Sequence, residues 1–126
     1  MKLECAQGPG ANPATLKDIE QVFADDARRG EFAILTSDDG SFVQVAGEGE
    51  GPFALEFHDA SSDSHLIAKR EFAKPEVVEL FSAFAQGDQS WRDAIQWQPL
   101  AESNGCFTKA AIITICAVLI IQALFS

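Results

Sequence analysis

Carboxylates occur in pairs in three short polar stretches of the chain, and this pattern is typical of an electrostatic binding surface. The pairs are Asp38 with Asp39, Glu48 with Glu50, and Asp59 with Asp63. Each pair lies in a link between two apolar runs, so the links of an antiparallel sheet could bring their charges together. A negative surface speeds the capture of a basic partner. The alternative is a solvated surface, because runs of charge usually only keep a protein soluble.

Two histidines flank the third acidic link, and their chemistry would be metal binding or catalysis. Six residues separate His58 from His65, so a hairpin would place them close together. This spacing matches no zinc-ligand pattern, and any hairpin creates such neighbours. Glu56 precedes them on the polar side of its strand, but a single carboxylate does not make a mechanism. We therefore expect no metal, no cofactor and no enzymatic activity.

The two tryptophans, Trp91 and Trp97, have two interpretations. Large aromatic side chains usually close the core of a small domain, and we expect this of at least one of them. Exposed tryptophan is also over-represented at binding hot spots, so either one is a candidate contact to a partner protein.

The charge of the chain is strongly uneven along its length. All nineteen acidic residues lie at or before Glu102, and Lys109 is the only basic residue after Arg92. Without Lys109, eight basic residues face nineteen acidic ones, which is a net charge of −11. This part of the chain is repelled by nucleic acid phosphates and by anionic lipid headgroups. A nucleic acid partner is therefore excluded, and a basic protein is favoured.

The predicted elements form one α+β domain over residues 14–100. A capped amphipathic helix follows Thr15, and a second helix begins at Pro75. Between them, four runs with a period of two predict a four-stranded antiparallel meander flanked by the two helices. The predicted strands cover residues 31–36, 41–47, 53–58 and 65–72. Residues 1–13 are rich in glycine and proline and predict a flexible arm, whereas residues 88–100 fit either a short helix or an extended piece.

The last stretch of the chain has the composition of a membrane segment. Residues 110–125 contain no charge, proline or glycine, and as a helix they would rise about 24 Å, close to the thickness of a bilayer core. We expect residues 107–126 to be a transmembrane tail anchor behind a joint at residues 101–106. The positions taken to span the bilayer are Ala110, Ile113, Ala117, Ile120 and Phe125.

The expected compartment is cytoplasmic, because the start of the chain lacks the apolar region of a signal peptide. Glu4 lies where that region would have to be. The three cysteines, Cys5, Cys106 and Cys116, are too scattered for a disulfide framework, which fits a reducing environment.

The order of motifs resembles small bacterial immunity proteins of polymorphic toxin systems. The resemblance rests on the segments FAILTSDDGSFVQVAGEGEGPFALEFHD, HLIAKREF and PEVVELFSAFAQGDQSWRDAIQW. It implies a non-enzymatic protein that binds and neutralises a toxin in the cytoplasm, with Gln44, Glu56, Trp91 and Trp97 as framework or contact residues. A C-terminal membrane anchor departs from that pattern and puts a freely diffusing inhibitor in doubt.

Two functions of different classes follow from the sequence. The first is a membrane-tethered inhibitor of the immunity type that captures a basic toxin through its acidic loops. The second is a tail-anchored adaptor or structural subunit of a membrane complex, in which the acidic charge only maintains solubility and the apolar helix makes the contacts.

Overall fold

The computed structural model describes residues 1–100, which form an antiparallel sheet of six strands with four helices. The strands follow one another across the sheet in chain order as a meander. They are β1 (Lys2–Cys5), β2 (Phe32–Thr36), β3 (Phe42–Ala46), β4 (Ala54–Asp59), β5 (Ser64–Ala68) and β6 (Trp97–Pro99). The helices are α1 (Leu16–Ala24), α2 (Asp26–Arg29), α3 (Lys74–Ala85) and α4 (Ser90–Ala94). The α+β class is therefore confirmed.

One hydrophobic core lies between the helices and one face of the sheet. Because side chains alternate along a strand, Val43 and Val45 of β3 share this face with Leu55 and Phe57 of β4. The helices contribute apolar side chains that are buried in the same cluster. These are Ile19, Val22 and Phe23 of α1, Val77, Leu80, Phe81 and Phe84 of α3, and Trp91 of α4. We call the opposite side of the sheet the far face.

Local signals in the sequence set where the long helices begin. The Thr15 hydroxyl accepts a hydrogen bond from the Asp18 backbone N–H, and the Asp18 carboxylate accepts one from the Thr15 backbone N–H. This reciprocal pair satisfies two donors that the first turn of α1 would otherwise leave open. In α3, Pro75 occupies the first turn, where its missing N–H costs nothing.

The prediction of four strands was wrong, because the sheet has two more. β1 lies inside the predicted arm, where Leu3 pairs with Leu35 of β2 and is fully buried. β6 pairs with β5 through Ile67 and Gln98. Both strands are short, and both are ordered by pairing with residues distant in the sequence, so no local alternation reveals them. The ambiguous stretch 88–100 contains both a helix and a strand.

The expected arrangement of two helices flanking the sheet was also wrong. α1 and α3 pack against each other on the same face, where the rings of Phe23 and Phe81 meet edge to face at 5.1 Å. The predicted first helix is divided in two at Asp25, whose side chain accepts a hydrogen bond from the Arg28 backbone N–H and so starts α2.

The predicted transmembrane helix, with Ala110, Ile113, Ala117, Ile120 and Phe125, lies outside the described residues. Within residues 1–100, no helix combines the length and the apolar character needed to cross a membrane. The fold of residues 1–100 is thus a six-stranded antiparallel sheet with four helices, which corrects the predicted four-stranded sheet flanked by two helices.

Candidate functional site

Two acidic turns meet at one end of the sheet, together with the loop between α3 and α4. The turn between β2 and β3 carries Asp38 and Asp39. The turn between β4 and β5 carries Asp63, and Asp59 is the last residue of β4 before that turn. The Ser41 hydroxyl accepts a hydrogen bond of 2.9 Å from the Ala60 backbone N–H, which ties these two turns together. We call this region, with Asp88 of the α3–α4 loop, the acidic end.

A cleft of about 430 Å³ opens at the acidic end. Its walls carry three carboxylates, those of Asp39, Asp59 and Asp88, and its floor includes the rings of Phe57 and Phe84. Serine hydroxyls complete the polar wall. These belong to Ser37, Ser41 and Ser61. A cleft with negative walls and an aromatic floor suits a cation that also has an apolar part.

The three carboxylates of the cleft are held in their charged form by hydrogen bonds within their own turns. The pKa of Asp39 is lowered by the Ser37 hydroxyl and then by the Ser41 backbone N–H. The pKa of Asp59 is lowered chiefly by the Ser61 hydroxyl, with Arg92 adding to it. The pKa of Asp88 is lowered by the backbone N–H of Ser90. The cleft therefore keeps its negative charge well into the acidic range.

Arg92 of α4 shows how a basic side chain sits in this cleft. Its Nη2 lies 3.0 Å from Asp59 Oδ2, and its guanidinium lies 4.7 Å from the centre of the Phe57 ring. The guanidinium is thus bound by a carboxylate and an aromatic face at once, which are the two kinds of contact that arginine favours.

Glu48 and Glu50 do not belong to this surface, so the expectation that all three acidic links converge was wrong. They lie in the β3–β4 loop, and successive links of a meander alternate between the two ends of the sheet. At that opposite end, Lys74 Nζ lies 3.5 Å from Glu50 Oε1 and 3.1 Å from Asp26 Oδ1. Arg29 also contacts Asp26 at 3.0 Å, so basic groups offset part of the acidic charge there.

The two histidines lie side by side on the far face, as the hairpin predicted. His58 and His65 are register partners, with ring centres 5.8 Å apart, and the Phe42 ring stacks on His58 at 5.2 Å. His65 Nε2 lies 2.7 Å from Glu56 Oε1, although the two groups are not aligned for a hydrogen bond. Asp63 approaches His58 Nε2 to 3.7 Å.

Glu56 is buried, although its place on the polar side of β4 suggested that it would face solvent. Its residue is only 2% exposed, and its cross-strand neighbour Gln44 is 1% exposed. Among residues 1–100 no group of three histidine, cysteine or acidic side chains is placed to hold a metal ion. The arrangement around Glu56 is a buried polar pair on the far face.

The tryptophans pack near the acidic end. Trp91 belongs to the core, with its ring edge to face on Phe57 at 5.0 Å and its indole N–H donating to the Asp88 carbonyl oxygen at 2.6 Å. This confirms that one tryptophan closes the core. Trp97 is half-buried and lies 6.1 Å from Trp91, between ring centres. Both tryptophan rings contact Phe57, which lines the cleft.

Several polar members of the cleft were not identified from the sequence, among them Asp88, Arg92 and the three serines of the turns. Asp88 and Arg92 follow α3, far along the chain from the acidic turns, and only the fold brings them together. The available signal was the Ser-Asp spacing, because a serine two residues from an aspartate often closes a turn with it.

No protein-family model, curated protein or solved structure matches this chain.

Proposed function

We propose that this protein is a non-enzymatic binding protein whose acidic end captures a basic protein partner, in the manner of an immunity-type inhibitor. The observation that carries the proposal is the cleft in which Asp39, Asp59 and Asp88 line one opening above an aromatic floor. The resemblance to immunity proteins of toxin systems supports the same function and suggests a toxin as the partner.

The charge at the acidic end favours a basic partner. Asp38 and Asp63 flank the cleft with side chains that are 96% and 94% exposed, so both remain open to a partner. The N-terminal ammonium contacts Asp38 at 3.0 Å, and Arg92 contacts Asp59. Exposed carboxylates of this kind act over a distance of about 10 Å at moderate salt and mainly raise the rate of association.

The cleft adds a specific contact to this general attraction. Asp39 and Asp88 use part of their accepting capacity on their own turns, and an ionised carboxylate has about four acceptor sites. They can therefore also accept from an incoming lysine or arginine. Arg92 already covers the Phe57 ring, so the incoming side chain would bind the exposed carboxylates of Asp39 and Asp88 beside it.

The test is capture of partners from the protein's own cells by crosslinking and pull-down of the full chain. The variant Asp39→Asn/Asp59→Asn/Asp88→Asn keeps an acceptor at each position and removes three charges. The control, Glu20→Gln/Glu48→Gln/Glu50→Gln, removes three charges from exposed positions away from the cleft. We expect the first variant to lose a basic protein that the control retains. Equal capture by both variants would exclude the acidic end as the binding site.

A further inference from the structure

A second depression, which we call the helix groove, lies between α3 and α4 and has a volume of about 430 Å³. The apolar residues that line it are Phe72, Leu80, Ala83, Trp91, Ala94 and Ile95. Phe72, Leu80 and Trp91 are at most 9% exposed and form its floor, whereas Ala94 is exposed beside them. A floor of this kind, with a tryptophan and a phenylalanine, suits an apolar side chain of a partner protein.

The rim of the helix groove is acidic. Its acidic members are Glu76, Glu79 and Asp88, and its one basic member is Arg70, so the rim has a net charge of −2. Arg70 Nη2 lies 2.9 Å from Glu76 Oε2, and the guanidinium lies 3.8 Å from the centre of the Phe72 ring. The charge of Arg70 is therefore used within the protein. Glu79 and Asp88 are exposed, so their carboxylates are open to a basic side chain.

The helix groove adjoins the cleft of the acidic end. Asp88 lines both depressions. The Trp91 ring lines the groove, and its centre lies 5.0 Å from that of Phe57 and 6.2 Å from that of Phe84. Phe57 and Phe84 in turn line the cleft. The two depressions thus share a carboxylate and are joined through one aromatic cluster, so a partner bound at the cleft brings neighbouring residues over the groove.

The shape of the helix groove fits a helix. Its α3 wall runs from Glu76 to Ala83, which is about 10 Å or two helical turns at 1.5 Å per residue. A helix laid in such a groove presents side chains three, four and seven residues apart to the same floor. An amphipathic helix has the apolar stripe that the floor requires, and basic residues beside that stripe complement the acidic rim.

We propose that the helix groove binds an amphipathic, basic helix of the same partner that is captured at the acidic end. An apolar side chain of this helix packs on Leu80 and Trp91, and a lysine or arginine beside it pairs with Glu79 or Asp88. The inference rests on the proposed function for the identity of the partner. It adds a requirement to basic charge, because the partner must also carry an apolar stripe next to its basic residues.

The test uses the full chain and two synthetic peptides of lysine and leucine, each about eighteen residues long and so able to form a helix. In the striped peptide all leucines lie on one face of the helix, and in the shuffled peptide the same residues are spread around it. The variant Ala94→Phe fills the groove. Its matched control is Ala24→Phe, because both alanines are exposed and each is the last residue of its helix.

We expect the striped peptide to change the nuclear magnetic resonance signals of Ala83, Ala94 and Ile95. It should bind at least about fivefold more tightly than the shuffled peptide, which corresponds to one anchoring side chain at a hot spot. Ala94→Phe should remove most of this difference, and Ala24→Phe should preserve it. Equal binding of the two peptides, or equal effects of the two variants, would overturn the groove as a docking site.

A second pair of variants leaves the floor of the groove unchanged. Glu79→Gln removes an exposed charge from the rim, and Glu20→Gln removes one from the exposed side of α1. Glu79→Gln should weaken the striped peptide about twofold, as expected for one exposed ion pair. Glu20→Gln should have a smaller effect. Equal effects of the two substitutions would contradict the role given to the rim.

A hexa-arginine peptide, which has no apolar stripe, separates this inference from the proposed function. It should bind the acidic end of the Ala94→Phe variant as it binds the natural chain, which also shows that the variant is folded. A natural chain that does not bind this peptide at the acidic end would overturn the proposed function. Failure of the striped peptide alone would overturn the groove and leave the acidic end as the binding site.

Discussion

Arg29 joins several parts of the end of the sheet opposite the cleft. It is fully buried, its Nη1 donates to the Phe23 carbonyl oxygen at 3.0 Å, and its Nη2 donates to the Gly49 carbonyl oxygen at 2.8 Å. Its guanidinium also lies 5.3 Å from the ring centres of both Phe23 and Phe53. One side chain therefore joins α1, the β3–β4 loop and the aromatic core.

The substitution Arg29→Met should lower the free energy of unfolding by about 2–4 kcal/mol, because it leaves buried carbonyl oxygens without donors. Arg28→Met is the matched control. Arg28 is only half-buried and donates a single side-chain hydrogen bond, to the Pro9 carbonyl oxygen, so its loss should cost less than about 1 kcal/mol. Urea denaturation of the two variants measures the difference, and equal losses would refute the role given to Arg29.

Asp59 links the stability of the acidic end to pH. Its pKa in the folded protein is lowered by Ser61 and Arg92, so its contribution to stability is fully present above the pKa of the unfolded chain, about 3.9. That contribution is lost as the pH falls through the lower folded pKa. Asp59→Asn should therefore flatten the fall in melting temperature between about pH 5 and pH 2.

The matched control for this pH profile is Asp63→Asn, which removes an equal charge from the same end but none of the contacts with Ser61 and Arg92. Its side chain is 94% exposed. The control should follow the profile of the natural chain more closely than Asp59→Asn does. A profile of Asp59→Asn that coincides with the natural one would show that these contacts do not stabilise the folded state.

At the scale of elements, the hairpins were predictable and the sheet edges were not. The pairing of β2, β3, β4 and β5 follows from alternating apolar residues and short links, and the partnership of His58 with His65 follows from the same hairpin. β1 and β6 are short, and each pairs with a strand that is distant in the sequence, so local patterns did not predict them. The cleft was missed for the same reason, since Asp88 and Arg92 reach the acidic turns only in the folded sheet.

The start of α1 depends on the reciprocal hydrogen bonds between Thr15 and Asp18. Thr15→Ala removes the acceptor for the Asp18 backbone N–H and should lower the free energy of unfolding by about 1 kcal/mol. Thr15→Ser keeps the hydroxyl, and its free energy of unfolding should remain within a few tenths of a kcal/mol of the natural value. Thermal or urea unfolding distinguishes the two, and an unchanged Thr15→Ala variant would contradict the capping role.

At the scale of the whole molecule, the two ends of the sheet differ in how their charges are used. At the opposite end, Arg29 and Lys74 contact Asp26, so those charges hold the fold together. At the acidic end, Asp39 and Asp88 are exposed around a cleft and are fixed by their own turns. A strongly acidic protein attracts cations over its whole surface, and within residues 1–100 the acidic end adds a cleft in which exposed carboxylates lie beside aromatic residues.

This difference predicts how binding depends on charge and on salt. Replacing Asp39, Asp59 and Asp88 by Asn should weaken the binding of a basic partner about tenfold, since three charge pairs at roughly 0.5 kcal/mol each amount to about that factor. The dependence of affinity on salt concentration should become shallower. The variant Glu20→Gln/Glu48→Gln/Glu50→Gln should change the affinity and its salt dependence much less. An equal change would mean that binding depends on the net charge alone.

The most direct measurement is a nuclear magnetic resonance titration of the full chain with a hexa-arginine peptide. Chemical shifts should change first and most at residues 37–41, 59–63 and 87–92, which surround the cleft, and little at residues 47–51. Added salt should reduce these changes. Changes centred on residues 47–51, or spread evenly over all exposed carboxylates, would contradict the acidic end as the binding surface.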